Sequence, residues 1–357
     1  MAEPRAEVLV DLDAVRSNVA RLAALAGPAE TMVVVKADGY GHGAVPVAEA
    51  ALQGGATWLG TAALSEALDL REAGISAPIL CWLDPVGTDY RPAVEAGIDL
   101  SVSSVEQLRA VGDARVHLKI DTGLSRGGCP QSRWPELVRA AADSDVHAIW
   151  SHLACADEPG HPSVDAQAKR FAVAYEEALA AGLSPRRHLA NSAATLTRPD
   201  LHFDMVRVGI ATYGLNPVPG GEKLLPAMAF RSSVVSVKPL PAGESVSYGH
   251  SWTAAGDTWV ALVPVGYADG VPRLLSNRMS VLLGGERRPV RGRVCMDQIV
   301  VECPPDTRPG DEVVLFGPGT RGEPTATEWA DAIGTIDYEI VTGMYRPRVT
   351  RTYLGRR

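Results

Sequence analysis

The feature that most constrains the fold is an alternation of short, apolar, β-like runs with amphipathic helical segments over the first two thirds of the chain. After an opening helix, the runs are MVVVK, WLGTA, PILCW, DLSVSS, VHLKI, HAIWSHL, HLANS and MVRVGI. The segments between them carry apolar residues at helical spacing. Eight strand–helix units in about 230 residues are typical of a (β/α)8 TIM-type barrel. Alternation alone does not prove closure, so a doubly wound open sheet is the alternative.

The pattern changes near Met228, where alternating short strands separated by Pro and Gly turns begin. One helical segment, ATEWADAIG, comes late in this part. The pattern predicts a compact, mainly-β domain. We therefore expect an α/β fold in which a barrel of residues 1–230 precedes a C-terminal β domain of residues 231–357.

Composition excludes several classes of function. The chain has 357 residues and a formal net charge of −8, and no basic block is present, so nucleic acid is not an expected partner. No apolar run approaches the roughly 20 residues that a membrane span needs. The N-terminal segment MAEPRAEVLVDLDAV lacks the basic-then-apolar layout of a signal peptide. We expect a cytoplasmic protein with no membrane partner.

Cysteine and histidine spacing indicates neither disulfides nor a metal. The five cysteines form no CxxC pair, HExxH is absent, and the histidines do not cluster at ligand spacing. We expect no disulfide framework and no metal site.

Polar side chains recur where the predicted strands end. Active sites of such barrels lie at the C-terminal ends of the strands. Taken singly, each residue has an ordinary interpretation, such as a solvated lysine, a core histidine or a helix cap. Together they predict a shared site. The residues are Lys36, Lys119, Arg126, Ser151, His152, Asn191, Ser192, Arg207 and Gly209.

Nine segments, in this order, resemble those of the barrel-type, pyridoxal-phosphate-dependent alanine racemases, and they span nearly the whole chain. They are VVVKADGYGHG, HLKIDTGLSRGG, SHLACAD, ANSAAT, VRVGIATYGLNP, VSYGHSWTA, VPVGYADGVPR, GRVCMDQ and DYEIVT. The resemblance implies a pyridoxal 5'-phosphate enzyme that interconverts L- and D-alanine and supplies D-alanine for peptidoglycan. One departure is Asp38–Gly39, where the family commonly has Asn-Ala.

The resemblance also implies catalytic roles. Lys36 resembles the lysine that forms the Schiff base with the cofactor, and neighbouring cations would lower the pKa of its amine. Two bases on opposite faces of the substrate would be Lys36 on the D-face and Tyr248 on the L-face. His152 and Arg207 would form a hydrogen-bonded chain with Tyr248, and Arg207 would meet the pyridine nitrogen.

Further roles follow from the same resemblance. The phosphate would be held by Tyr40, Ser192, Gly209 and Ile210, with Asn191 supporting the loop and Tyr345 a candidate for a late phosphate-binding tyrosine. Arg126 would meet the cofactor's phenolic oxygen and the substrate carboxylate. Lys119 is a candidate for carbamylation, which would make it anionic.

Four of the implied residues lie in the β domain or at its edge, and in the family the second subunit delivers them, so a homodimer is expected. Tyr267 and Met296 would hold the substrate carboxylate and narrow the pocket for alanine. The four are Tyr248, Tyr267, Met296 and Asp297.

Three rival functions stay open at this point. One is a racemase of serine or another small amino acid, and another is a barrel-type amino acid decarboxylase. The third is a non-catalytic protein that binds pyridoxal phosphate. Small barrels of that third kind lack a β domain, whereas this chain has one that contains Tyr248 and CMDQ.

Overall fold

The computed structural model describes residues 5–218 and 220–355, so the outer ends of the predicted ranges 1–230 and 231–357 lie outside it. The described chain forms two compact units. The barrel unit contains residues 14–39 and 43–224, and the sheet unit contains residues 5–13, 40–42 and 225–355. The barrel unit ends at residue 224, and the boundary at residue 230 stays a prediction.

The first strand, β1 (Glu7–Asp11), belongs to the sheet unit, and the next eight strands belong to the barrel unit. The eight are β2 (Glu30–Val34), β3 (Trp58–Thr61), β4 (Ile79–Cys81), β5 (Asp99–Val102), β6 (Val116–Lys119), β7 (Val146–Trp150), β8 (Arg186–His188) and β9 (Met205–Val208). Each one lies in or overlaps a run predicted from the sequence, so the predicted strands are confirmed.

The eight strands are all parallel, in the order β8-β7-β6-β5-β4-β3-β2-β9. Two backbone hydrogen bonds join the outer members: Asp204 N–H donates to Arg187 O at 3.2 Å, and Arg207 N–H donates to Ala190 O at 2.9 Å. The sheet therefore closes into a barrel, and the open-sheet alternative is excluded. An interior of this kind is filled by side chains, here including Met32, Trp58 and Met205.

Helical segments connect successive strands, as parallel pairing requires. They are α1 (Leu12–Ala26), α2 (Lys36–Tyr40), α3 (Ala44–Gln53), α4 (Leu64–Glu72), α5 (Arg91–Glu95), α6 (Val105–Ala110), α7 (Trp134–Ala140), α8 (Pro162–Ala180) and α9 (Ser192–Thr197). Short 3₁₀ turns add Gln131–Arg133, Pro199–Leu201 and Ile210–Tyr213. No helix in residues 5–218 or 220–355 is long and apolar enough to cross a bilayer.

The sheet unit is a nine-stranded sheet in the order β11-β12-β15-β14-β13-β16-β10-β1-β17. Its later strands are β10 (Met228–Ser233), β11 (Ser236–Leu240), β12 (Thr258–Val263), β13 (Ser280–Leu283), β14 (Glu286–Arg291), β15 (Ile299–Cys303), β16 (Glu312–Phe316) and β17 (Thr350–Leu354). Helices α10 (Ala326–Ile333) and α11 (Asp337–Thr342) and 3₁₀ turns at Tyr248–His250, Tyr267–Asp269 and Arg273–Leu275 complete it. The predicted mainly-β character is confirmed.

The N-terminal strand departs from the simple division at residue 230. β1 pairs antiparallel with β10 and parallel with β17, so the first strand of the chain completes the sheet of the second unit. The sequence reasoning began with a helix and did not foresee this strand, because its partners lie more than 200 residues away in the chain.

One glycine of the barrel is set by close packing. A Cβ at Gly60 on β3 would lie 2.7 Å from the Trp82 ring and 3.1 Å from the sulfur of Met32. We expect Gly60→Ala to lower the free energy of unfolding by about 1–3 kcal/mol, because overpacking forces neighbouring side chains to shift. Urea denaturation of the two proteins measures this. Gly256→Ala is the matched control, since its Cβ would meet nothing within 4 Å. Equal losses in the two variants would contradict the packing argument.

Candidate active site

Lys36 follows the first barrel strand and opens a left-handed turn. It lies two residues beyond β2, and the φ angles of Ala37, Asp38, Gly39 and Tyr40 are 53°, 51°, 61° and 51°. A left-handed backbone costs roughly 1–2 kcal/mol for each L-residue. Backbone strain of this kind persists only where the surroundings hold it, and it clusters at functional sites.

Two carboxylates hold this turn. Asp38 Oδ1 accepts a hydrogen bond from Ala44 N–H at 2.8 Å, and its carbonyl accepts one from Gly43 N–H at 2.8 Å. Glu66 on α4 accepts from Ala37 N–H at 2.7 Å and also from two amides of the loop after β3. The residue next to Lys36 is therefore anchored to a neighbouring helix.

The surroundings of Lys36 favour a neutral amine. Burial lowers the pKa of Lys36 below its usual value, and the positive charge of Arg126 lowers it further. The carboxylate of Glu66 opposes this and raises the pKa. The predicted depression by neighbouring cations is present, but burial is the larger cause.

Four basic side chains act on His152. Burial lowers its pKa well below the usual value, and the charges of Arg207, Arg126, Lys119 and Lys36 act in the same direction. Four positive groups contributed by separate barrel strands and loops thus act on one imidazole. The C-terminal mouth of the barrel is accordingly a strongly electropositive place that suits an anionic ligand.

Lys119 is an amine with an unusual setting at the end of β6. Its Nζ lies 4.4 Å from the centre of the Trp150 ring. Burial lowers its pKa to about 8, with further contributions from the charges of Arg207 and Arg126. About a tenth of this amine is therefore unprotonated at pH 7.

Arg207 on β9 is buried and saturated with acceptors. One terminal nitrogen donates to Ser151 O at 2.8 Å, Leu189 O at 3.2 Å and His152 Nδ1 at 3.3 Å. The other donates to His188 O at 2.9 Å and to His188 Nδ1 at 3.2 Å. Burial lowers its pKa to about 9, which leaves the guanidinium charged at neutral pH.

The donor chemistry of Arg207 decides which nitrogen of His152 carries the proton. A guanidinium can only donate, so His152 Nδ1 must accept. A neutral imidazole then carries its hydrogen on Nε2. His152 is thus a neutral ring whose Nε2–H is available to donate to another group.

A group of polar and backbone donors and acceptors lies beyond β8 and β9. Asn191 caps α9 with its side chain, and Ser192 Oγ accepts from the N–H of Gly209 at 2.8 Å and of Ala211 at 3.4 Å. The 3₁₀ turn that begins at Ile210 follows directly. The structure therefore brings together the four barrel residues predicted at the phosphate end.

In the sheet unit, backbone hydrogen bonds bring Tyr267 and Met296 together. Tyr267 N–H donates to Cys295 O and Ala268 N–H donates to Met296 O, both at 3.0 Å. Gly266 permits this approach, because a Cβ there would lie 2.2 Å from Cys295 O. The side chains of Tyr267 and Met296 remain 40 % and 53 % exposed.

Tyr248, in the same unit, has a highly exposed side chain. It is 74 % exposed, and its neighbours Ser247 and His250 have left-handed φ angles of 65° and 45°. Ser247 Oγ donates to Arg293 O at 2.9 Å and lies 3.3 Å from Cys295 Sγ, which ties this strained turn to the segment before Met296.

The carboxylate of Asp297 is engaged in ion pairs within the sheet unit. Asp297 Oδ1 lies 2.7 Å from Arg348, and Arg5 donates to the Asp297 carbonyl at 2.7 Å. Both arginines also pair with the buried Asp269. These ion pairs orient Asp297, and its substrate-binding role stays a prediction.

The two tyrosines expected at the phosphate, Tyr40 and Tyr345, have different environments. Tyr40 is buried, which raises the pKa of its phenol, and its ring centre lies 6.2 Å from that of Tyr338. Tyr345 is 62 % exposed and its ring faces the Arg351 guanidinium at 5.6 Å. The observed neighbour of Tyr40 is therefore Tyr338.

Comparison with known proteins finds similarity to alanine racemases over nearly the whole chain. Models of the alanine racemase N-terminal and C-terminal domains match residues 10–217 and 227–353. The chain is 55 % identical to an alanine racemase of Salinispora arenicola (strain CNS-205), with 99 % of both chains covered. It is 52 % identical to that of Mycobacterium avium (strain 104), with 98 % of this chain and 95 % of the relative covered. The chain belongs to the alanine racemase family.

Solved structures of family members have the same fold. Alanine racemase from D-cycloserine-producing Streptomyces lavendulae has a TM-score of 0.96 at 49 % identity, with 99 % of this chain and 98 % of that chain covered. Alanine racemase from Bacillus anthracis with bound L-Ala-P has a TM-score of 0.91 at 35 % identity, with 99 % and 96 % covered. The resemblance inferred from the sequence motifs is confirmed.

Two side chains near the candidate site were missed by sequence reasoning. Glu66 lies in an ordinary amphipathic helix, and nothing in its local pattern shows that it anchors Ala37. Tyr338 lies in DYEIVT, a segment that already carried the family resemblance, so that motif could have identified it.

We expect Glu66→Gln to lower the pKa of Lys36 further, because the variant removes a carboxylate whose charge stabilises the Lys36 ammonium ion. The midpoint of Lys36 labelling by acetic anhydride, followed by peptide mass spectrometry across pH, falls by about half a pH unit or more. Glu72→Gln, an exposed carboxylate on the same helix, is the control. An unchanged midpoint in Glu66→Gln would rule out this electrostatic role.

Proposed function

We propose that this chain is a pyridoxal-phosphate-dependent alanine racemase, which interconverts L- and D-alanine in the cytoplasm and supplies D-alanine for peptidoglycan. The observation that carries the proposal is the half-buried amine of Lys36 just beyond the first barrel strand, where it and three other basic side chains act on His152. Full-length similarity to relatives named alanine racemase supports alanine as the substrate.

The residues present fit the proposed cofactor. A neutral Lys36 amine can bind its aldehyde carbon, and the electropositive mouth suits both a phosphate and a substrate carboxylate. Ser192, Gly209 and Ile210 form the polar end where the phosphate would lie, in keeping with phosphate sites after the last two strands of such barrels. When bound, pyridoxal phosphate withdraws electrons from the substrate Cα and makes its hydrogen acidic.

Inversion requires one base on each face of the substrate. Lys36 Nζ holds and returns the proton on the D-face, and Tyr248 Oη does so on the L-face. A phenol has an ordinary pKa of about 10, so its deprotonated form needs stabilisation near neutral pH. His152 Nε2–H can donate to that oxygen, because Arg207 occupies His152 Nδ1. Arg207 would hold the pyridine nitrogen and, because a guanidinium only donates, would leave that nitrogen unprotonated.

Lys119 and Arg126 act on the substrate side. The amine of Lys119 has a pKa of about 8, so its neutral form is available to react with CO₂. In that reaction the amine nitrogen bonds the carbon of CO₂ and loses one proton to solvent. The resulting carbamate is an anion, which would convert the repulsion between Lys119 and Arg126 into attraction. Arg126 would then be held to bind the cofactor's phenolic oxygen and the substrate carboxylate.

The tyrosine pair at the phosphate is assigned as Tyr40 and Tyr338. The ring contact between them supports this assignment over the sequence-based candidate Tyr345, whose ring is exposed beside Arg351. Asn191 supports the loop by capping α9.

The active enzyme is a homodimer with shared sites. Tyr248, Tyr267 and Met296 form an exposed, partly aromatic group on the sheet unit, and a proton-transferring phenol works best where water is excluded. A second copy of the chain would cover this group and receive Tyr248 at its own Lys36. Tyr267 and Met296 would then narrow the pocket for alanine.

We expect L-alanine incubated in D₂O with the protein and pyridoxal phosphate to yield D-alanine that carries deuterium at Cα. Lys36→Ala abolishes the product, and Lys169→Ala, which removes an exposed lysine of α8, leaves the rate unchanged. Chiral separation with mass spectrometry measures both quantities. Faster inversion of L-serine than of L-alanine would reject the substrate assignment.

The two-base arrangement gives a separate expected result. Tyr248→Phe removes the L-face base, so D-alanine still exchanges its Cα hydrogen in D₂O but is not inverted. The same isotope assay detects this asymmetry. Loss of exchange from both enantiomers, in a variant that still binds the cofactor, would contradict the assignment of Tyr248 to one face.

Shared sites predict recovery of activity when two inactive variants are mixed. A mixed dimer of Lys36→Ala and Tyr248→Phe chains has one doubly altered site and one intact site. Random subunit exchange between equal amounts therefore restores about a quarter of the wild-type activity per chain, since half of the dimers are mixed. Sites built from a single chain would restore none. Exchange is verified by native mass spectrometry of differently tagged chains.

A further inference from the structure

A chain of hydrogen bonds leads from Arg207 through the barrel interior to a carboxylate. His188, at the end of β8, accepts from Arg207 through Nδ1 at 3.2 Å. Its Nε2 lies 2.8 Å from Nδ1 of His117 on β6, and His117 Nε2 lies 3.1 Å from Asp99 Oδ2 at the start of β5. Arg115 Nε donates to the same oxygen at 2.8 Å.

The chemistry of the two ends fixes the direction of every bond. Arg207 can only donate, so His188 Nδ1 accepts and a neutral His188 carries its hydrogen on Nε2. His188 then donates to His117 Nδ1, and His117 in turn donates from Nε2 to the Asp99 carboxylate, which can only accept. All the dipoles point the same way, from the positive end at Arg207 to the negative end at Asp99.

This series of hydrogen bonds connects two buried charges of opposite sign. Arg207 and Asp99 are 4 % and 2 % exposed, and no carboxylate of the described residues bonds directly to Arg207. A buried charge is costly unless it is paired or well hydrogen-bonded. Hydrogen bonds in series polarise one another, so the two imidazoles extend the influence of Asp99 towards Arg207.

Aromatic packing holds both imidazoles in place. His188 stacks on Trp150 with ring centres 5.5 Å apart and planes 10° apart. His117 lies edge-on to Trp58 at 5.5 Å and beside His147 at 5.0 Å. Rings packed in this way cannot easily rotate to reverse the direction of the chain.

We propose that Asp99, His117 and His188 are positioning residues that keep Arg207 charged and oriented towards the cofactor. They touch neither substrate nor cofactor and act only through Arg207. This inference rests on the proposed function, because it assigns the support of a residue that the proposed reaction uses.

This series of hydrogen bonds aligns dipoles but does not transfer protons. To pass a proton, one of the imidazoles would have to take up a second hydrogen. Burial lowers the pKa of both His117 and His188, and the positive charge of Arg207 reinforces this at both rings. The carboxylate of Asp99 opposes the effect at His117, but the pKa of His117 is still lowered. Both rings are therefore held in the neutral form.

The first test reads the hydrogen positions directly. In full-length protein with ¹⁵N-labelled histidine, long-range ¹H–¹⁵N correlation spectra distinguish Nδ1–H from Nε2–H rings, and single His→Gln variants assign the signals. We expect neutral Nε2–H rings for His117, His188 and His152 from pH 6 to 8. A protonated ring, or an Nδ1–H ring at either His117 or His188, would overturn the proposal whether or not the protein is a racemase.

The second test interrupts the series of hydrogen bonds at two residues. It measures the equilibrium dissociation constant of pyridoxal phosphate from its visible absorbance. Asp99→Asn removes the charge with little change of shape, and His117→Phe keeps a ring but removes both hydrogen bonds. We expect each to weaken binding about tenfold, as the loss of supporting hydrogen bonds around a ligating group often does. The double variant binds pyridoxal phosphate no more weakly than either single variant, because both substitutions act through the same series of hydrogen bonds.

Glu323→Gln is the matched control, since Glu323 is also a buried carboxylate but lies in the sheet unit, where it accepts from Gly319 N–H and Arg321 N–H. We expect its dissociation constant to equal that of the wild type. Unchanged binding in Asp99→Asn, or equal weakening in Glu323→Gln, would overturn the proposal. Should His117→Phe fail to fold, judged by thermal unfolding, Asp99→Asn and the hydrogen positions still decide. Absence of racemisation by the wild type would instead count against the proposed function.

Discussion

The buried charge of Arg207 is the constraint on which much of the barrel interior depends. A guanidinium inside a parallel barrel must find acceptors, because the strands' own amides and carbonyls are already paired. Here it takes carbonyls from the loops and strand ends of β7 and β8 and one nitrogen from each of His152 and His188. Three neighbouring strands are thereby fixed at their C-terminal ends, where the proposed chemistry takes place.

That charge also shapes the reactivity of its neighbours. It lowers the pKa of Lys119 and of His152 by repulsion, in addition to the effect of burial. The result is a site in which an imidazole is kept neutral and amines lose protons readily, while the guanidinium stays charged. Arg207 thus acts on His152 and Lys119, whereas burial and the charge of Arg126 lower the pKa of Lys36.

The barrel and most of its candidate residues could be predicted because their signals are local. A strand followed by a polar residue can be recognised from the sequence alone. Parallel strands then place such residues at the same end of the barrel, as they do for Lys36 and His152. β1 could not be predicted this way, since its partners are distant in the chain. Glu66 and the pair His117–Asp99 were equally hidden, because buried polar networks depend on which strands become neighbours, and periodicity does not encode that.

The left-handed turn after Lys36 contains one residue that adopts this conformation without strain. Gly39 has a φ angle of 61°. Glycine reaches this region without the penalty of roughly 1 kcal/mol or more that a Cβ imposes, so the turn carries less strain here. The same glycine has more freedom to lose on folding, and the anchoring of Ala37 by Glu66 and of Ala44 by Asp38 limits that freedom. The orientation of Lys36 therefore depends more on these two carboxylates than on the intrinsic stiffness of the turn.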